Sequence, residues 1–115
     1  QVLARRTKAN VSRILNIADL EYNLDTLEVH RAGGSIQLNP TALKILQALM
    51  ESSPSVVTRT ELETKVWGEE LPDSDSLRVH IHGLRAAIDK PFPTHLIQTR
   101  HGIGYRIVDP DAVPA

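Results

Sequence analysis

The chain is 115 residues long, 41% hydrophobic and 23% charged, a size that sets one domain around one modest core. It has no cysteine, no apolar run of about 18 residues and no charged-then-apolar leader, which excludes disulfides, thiolate metal sites, cysteine nucleophiles, a membrane span and a secretory peptide, and makes the cytoplasm the expected compartment. Thirteen Lys and Arg against 14 Asp and Glu give a formal net charge of -1, which read alone argues against nucleic acid as a partner.

Residues 1–13 carry Arg5, Arg6, Lys8 and Arg13 with no acid and read as the basic end of a linker. The start at Gln1 rather than Met suits a piece of a longer protein. Residues 14–38 set Asp19, Glu21, Asp25 and Glu28 against Arg31, and alternate apolar and polar positions in the runs ILNIADLEYN, TLEVHR and SIQL. Broken at Asn23, Asp25 and Gly33-Gly34, they predict a small antiparallel meander with Gly33-Gly34 as a two-residue hairpin turn.

A first helix is predicted from Asn39-Pro40, where Asn serves as N-cap and Pro suits the first helical position. Ala42, Ile45, Leu46 and Leu49 keep the spacing of one buried stripe, which fades near Ser52-Ser53-Pro54. Thr58 and Glu61 form a capping box at the start of a second helix, and Gly68 stops it after Val66-Trp67. A third helix runs from about Ser74 to Asp89, entered through Pro72-Asp73 and closed by Pro91-Phe92-Pro93. The last period is that of a hairpin: Leu96 to Thr99, a Gly-rich basic tip from Arg100 to Gly104, then Tyr105 to Val108. Two short capped helices, a longer third and a basic hairpin suggest a helix-turn-helix followed by a wing.

The sign of the charge turns with the third helix. Residues 39–73 are acidic, whereas residues 74–108 set Arg78, Arg85, Lys90, Arg100 and Arg106 against only Asp75 and Asp89. At 100° per residue, Leu77, Ile81, Leu84 and Ile88 form the core-facing stripe of this helix. The opposite face presents Asp75, Val79, His82, Gly83 and Ala86, flanked by Arg78 and Arg85 on one side and Ser76, His80 and Ala87 on the other. Such a slim face suits a major groove, where Arg donates bidentately to guanine and an exposed Val meets a thymine methyl. His80 and His82 stand about 200° apart on a helix and cannot chelate one ion, so no metal site is expected. There is no Gly-x-Ser-x-Gly elbow, and Gly102-Ile103-Gly104 lacks the following helix of a phosphate loop, so no enzyme and no cofactor are expected.

The ordered segments Leu38-Asn39-Pro40-Thr41, Val56 to Leu62, Lys65-Val66-Trp67-Gly68, Leu77 to Arg85 and Ile97 to Arg106 resemble the winged-helix DNA-binding effector domain of OmpR/PhoB-type two-component response regulators. The resemblance implies an α+β fold over residues 14–108: a four-stranded antiparallel sheet (14–38), three helices (39–95) and a C-terminal β-hairpin wing (96–108), followed by a tail (109–115). A receiver domain would precede it. The third helix, with Ser76, Arg78, Val79, His80, His82, Gly83 and Arg85, would enter the major groove. The wing, with Thr99, Arg100, His101, Gly102 and Tyr105, would touch the minor groove or its phosphates, and Trp67 and Arg59 would support backbone contacts. The loop Glu69, Glu70, Leu71, Pro72 and Asp73 resembles one that some members offer to RNA polymerase.

Members often carry Arg where Gly83, Asp75 and His101 stand, and Arg or Lys at the positions of His82, Ala86 and Ala87, so this contact face is less basic than the family's. The function expected is sequence-specific binding of double-stranded promoter DNA by a homodimer on direct repeats. Two alternatives stay open: a winged helix turned to protein interaction, and the cytoplasmic DNA-binding end of a membrane-anchored activator.

Overall fold

The computed structural model describes residues 13–68 and 76–110. Four strands open the chain: β1 (Ile14–Ile17), β2 (Leu20–Asn23), β3 (Glu28–Arg31) and β4 (Gly34–Ile36). They pair antiparallel in sequence order. Period-two alternation sends Leu20, Tyr22, Val29 and Arg31 inward while Glu21 and Glu28 face out. The expected meander is therefore present, with two differences in its turns.

The run ILNIADLEYN folds as two strands, because Ala18 takes a positive φ of 54° and reverses the chain between Ile17 and Leu20. The β3–β4 hairpin turns at Ala32-Gly33 rather than at Gly33-Gly34, with Arg31 opposite Gly34. Both turn residues have positive φ, 54° and 85°, as a type I′ turn requires. A one-residue shift would move Val29 and Arg31 to the solvent face, so the buried pattern sets the register and Ala32 accepts the left-handed backbone. Arg13, read as linker, already joins the sheet: its carbonyl accepts the Leu24 amide at 2.9 Å and its guanidinium lies 3.5 Å from Asp25.

Helix α1 (Pro40–Ser52) begins as expected, the Asn39 side chain accepting the Ala42 amide at 2.8 Å. At its end the Ser53 hydroxyl donates to the Ile107 carbonyl at 2.6 Å, tying the helix to the last strand. Helix α2 (Arg59–Trp67) carries the full capping box between Thr58 and Glu61 and stops at Gly68, whose φ is 65°. Helix α3 (Ser76–Ile88) buries Leu77, Ile81, Leu84 and Ile88, the stripe its spacing predicts. It ends one residue before the expected Asp89.

The C-terminal hairpin pairs β6 (Ile97–Arg100) with β7 (Gly104–Ile107). Its tip is narrower than expected, since Arg100 and Gly104 still face each other and only residues 101–103 turn. Sequence reading missed β5 (Val57–Thr58), which pairs with β7 and makes the wing part of a three-stranded sheet. Two residues have no period to detect.

One core lies between the first sheet and the helices and runs on to the hairpin. Ile45, Leu46, Leu49, Leu62, Leu84 and Leu96 are completely buried in it, each worth roughly 1.5–3 kcal/mol of transfer free energy. Among the described residues no helix is long and apolar enough to cross a membrane.

Candidate nucleic-acid interface

With its stripe of four aliphatic residues held in the core, α3 presents the rest of its circumference outward. Grooves lie on both sides of it. One, about 490 Å³, lies between α3 and the wing and is bounded by Arg59, Arg78, Arg85 and Arg100, with His82 and His101 beside them. Among the described residues no carboxylate lines it. The other groove runs between α3 and the start of α1, where Val79, His80 and Gly83 face Leu38 and Asn39. Between the grooves stands the exposed ridge of the helix, on which Val79 is 63% accessible.

The structure thus brings most of the expected recognition and wing residues together. Arg78, His82, Arg85, Thr99, Arg100, His101, Gly102 and Tyr105 all line the cleft on the wing side. Ser76 is half-buried at the first turn of α3. Residues 69–75, which include Glu69, Glu70, Leu71, Pro72 and Asp73 of the expected polymerase-facing loop, lie outside the described residues.

Several of these side chains have local duties that fix their geometry. Arg85 is half-buried, and its guanidinium donates to the Thr99 hydroxyl and, at 3.5 Å, to the Ile97 carbonyl, spanning from α3 to β6. His80 does not share a site with His82. Its ring lies 5.8 Å from that of Trp67, tilted by 43°, so that α2 and α3 meet through these two aromatics. Arg59 lies 3.5 Å from Glu63 one turn along α2, and its amide donates to the Ile103 carbonyl at 3.3 Å. This places the first turn of α2 against the wing tip.

The wing tip turns through Gly102, whose φ is 77°. Gly104 then lets β7 cross β5 at a distance no side chain tolerates, since a Cβ there would lie 2.1 Å from the Val57 carbonyl oxygen. Sequence reading did not single out Ile103, which is 56% accessible at the tip and borders the same cleft. An isoleucine next to two glycines carries no signal until the turn that exposes it is known. Arg106 was counted only as charge; its guanidinium donates across the hairpin to Gln98 at 2.8 Å.

A helix-turn-helix with an exposed third helix, a hairpin wing beside it and a cleft between them bounded by four arginines define a winged-helix DNA-binding effector domain of the kind found in transcriptional regulators. A profile of the family described as "Transcriptional regulatory protein, C terminal" matches residues 33–107, and the chain belongs to this family, with the OmpR/PhoB architecture. It is 33% identical over 109 residues to the phosphate regulon transcriptional regulatory protein PhoB of Rhizobium meliloti, a match covering 93% of this chain and 48% of PhoB. The chain therefore spans about half the length of such relatives. Among solved structures it resembles the response regulator DrrB, an OmpR/PhoB homologue from Thermotoga maritima, with a TM-score of 0.75 and 28% identity over 93% of this chain and 51% of that one. It also resembles the DNA-binding domain of CpxR from E. coli, with a TM-score of 0.72 and 28% identity over 84% of this chain and 96% of that domain.

Proposed function

We propose that this domain regulates transcription by laying α3 in the major groove of double-stranded DNA while the wing reaches the adjacent minor groove, without catalysing a reaction. The observation that carries this reading is the cleft between α3 and the wing, where Arg59, Arg78, Arg85 and Arg100 converge, Arg59 being also paired with a carboxylate, that of Glu63 on its own helix. A net charge of -1 does not oppose it, because four arginines meet in this one cleft, whereas Asp19, Glu21, Asp25, Glu28, Glu51, Glu61 and Glu63 belong to the first sheet, its turns and the first two helices. Phosphates approached by Arg59, Arg100 and His101 supply affinity, with Trp67, Thr99, Gly102 and Tyr105 shaping the wing and its surroundings. Ser76, Arg78, Val79, His80, His82, Gly83 and Arg85 give the face that meets base edges.

In the same reading residues 14–108, with Arg13 bound to their first sheet, are the effector unit, the residues before them the end of a linker from an upstream receiver domain, and residues 109–115 a tail. Two copies bind direct repeats about one helical turn apart. The loop 69–73 is offered to RNA polymerase, and the protein acts in the cytoplasm. Fluorescence anisotropy against a promoter library at increasing salt tests the core of this. Affinity should fall linearly with salt on a log-log plot, with a shallow slope set by few phosphate contacts. Absence of salt-sensitive binding to every duplex rejects it. A size measurement of the bound species then separates one copy from two.

A further inference from the structure

Arg31 is the least expected residue of the core. Its side chain is fully buried, yet it lies on β3, far in sequence from the elements it touches. Its Nε donates to Asp19 at 2.9 Å, one Nη donates to the Ile88 carbonyl and faces Asp89 at 3.3 Å, and the other Nη donates to the Thr94 carbonyl at 2.7 Å. The Phe92 ring packs against the guanidinium, 4.6 Å from its carbon. The loop that leads from α3 to the wing is thus folded around one cation. Asp89, only 2% accessible, completes the arrangement: its two carboxylate oxygens accept the amides of Leu96 and Ile97 at 2.9 and 3.1 Å, where the chain enters β6.

We propose that Arg31 and Asp89 form a joint that sets the spacing and angle between α3 and the wing, and that both are positioning residues for DNA binding although neither lines the basic cleft. The inference rests on the DNA-binding reading above. Ile88 offers one of the last carbonyls of α3, which the helix itself cannot satisfy, and a cation there complements the helix dipole. The same cation holds Asp89, and Asp89 holds the first two amides of the wing, so α3 and β6 are fixed to one rigid planar group. Burial of an ion pair is weak evidence for a stabilising role, since apolar replacements often serve as well. What apolar side chains cannot supply is direction, and a two-pronged grip needs its prongs held to within about 0.5 Å. Arg78 and Arg85 stand on one prong and Arg100 on the other.

The test uses a fluorescein-labelled mixed-sequence DNA duplex of about 20 base pairs, two helical turns, and compares Asp89→Asn with a core truncation outside the joint, Ile45→Val. Both are measured where circular dichroism shows them folded. Asp89→Asn is expected to lose affinity on the order of tenfold and to lower the log-log salt slope by about one. Ile45→Val should lower the Tm and leave the slope unchanged. Arg31→Lys, which keeps the charge but not the fork, should fall between Asp89→Asn and wild type.

Wild-type slope and affinity in Asp89→Asn overturn the joint alone. Failure of the wild-type chain to bind any duplex removes the DNA reading and the joint with it. Should Asp89→Asn not fold, Arg31→Lys and hydrogen exchange in the wild-type protein decide the matter. Leu96 and Ile97 amides exchanging as slowly as those of the core support the joint, and amides exchanging as freely as those of an exposed loop overturn it.

Discussion

The Arg85 guanidinium reaches across from α3 to the Thr99 hydroxyl on β6, so the residue best placed by sequence to read a base is also a brace between helix and wing. The two roles make different predictions. Arg85→Ala is expected to cost about 1–3 kcal/mol of binding free energy. With the brace dominant, the loss should be nearly uniform over a panel of duplexes that differ at single positions, measured by anisotropy. Thr99→Val, which keeps the branched shape and removes the acceptor, should reproduce part of that uniform loss. A loss in Arg85→Ala confined to one base-pair position would instead assign the guanidinium to direct readout.

The helix starts were legible because capping is local. Asn39 with Ala42, and Thr58 with Glu61, are contacts within four residues, and their geometry follows from residue type. The stripe of α3 was legible for the same reason. What escaped was non-local. Arg31 was read as a charge against four acids, although it shares the inward face of β3 with Val29; only the packed structure shows Asp89, Ile88 and Thr94 arriving to satisfy it. Likewise β5 exists because β7 lies beside it; Val57 and Thr58 are β-branched and favour extended backbone, but two residues are too few to show a period. The cleft was half legible: the side chains were nameable from the resemblance, but the Arg85 brace and the contact between Trp67 and His80 depend on how α2, α3 and the wing meet.

Two glycines with opposite surroundings give opposite expectations for stability. At Gly104 a Cβ would collide with backbone, 2.1 Å from the Val57 oxygen and 2.8 Å from the Thr58 Cα. Backbone cannot rotate away as a side chain can, so Gly104→Ala should cost 3 kcal/mol or more, at or beyond the upper end of the roughly 1–3 kcal/mol typical of overpacking. At Gly83, within α3, a Cβ meets nothing within 4 Å. Gly83→Ala should therefore gain about 0.5–1 kcal/mol from lost backbone freedom in the unfolded chain. Calorimetric unfolding of both variants checks the pair, and a stable Gly104→Ala would show that β5 and β7 do not approach as closely as described.

The pH dependence of stability should have an identifiable acid limb and alkaline limb. Hydrogen bonds from the Thr58 amide and hydroxyl hold the Glu61 carboxyl below its ordinary value. A group whose pKa is lower in the folded state contributes above its unfolded value, about 4.3, and loses that contribution as pH falls through the folded value. Glu61→Gln should flatten the acid limb below about pH 5 while changing the neutral Tm little, since Gln also completes a capping box. Burial, and secondarily the charge of Glu51, raise the Tyr22 hydroxyl above its ordinary value. Its contribution is present below about pH 10 and is lost as pH rises further, so Tyr22→Phe should flatten the alkaline limb. Thermal melts across both limbs read the two effects separately, and an unchanged limb in either variant removes that residue from it.

Gly83 also offers a direct measure of how close α3 comes to DNA. The position is exposed, its φ is ordinary for a helix and a Cβ there meets no neighbour within 4 Å, so a side chain can start there without strain. Gly83→Arg therefore adds one cation to the exposed ridge of α3. If this face meets the duplex, the added cation approaches a phosphate or a base edge. A phosphate contact should raise affinity on every sequence and steepen the salt slope by about one. A base contact should raise affinity chiefly on duplexes with guanine at one position. Anisotropy on the same panel of duplexes distinguishes the two, with calorimetry confirming that the fold is kept. An unchanged slope together with unchanged preference would place the ridge of α3 away from the DNA, and the wing side of the cleft would then have to supply the grip alone.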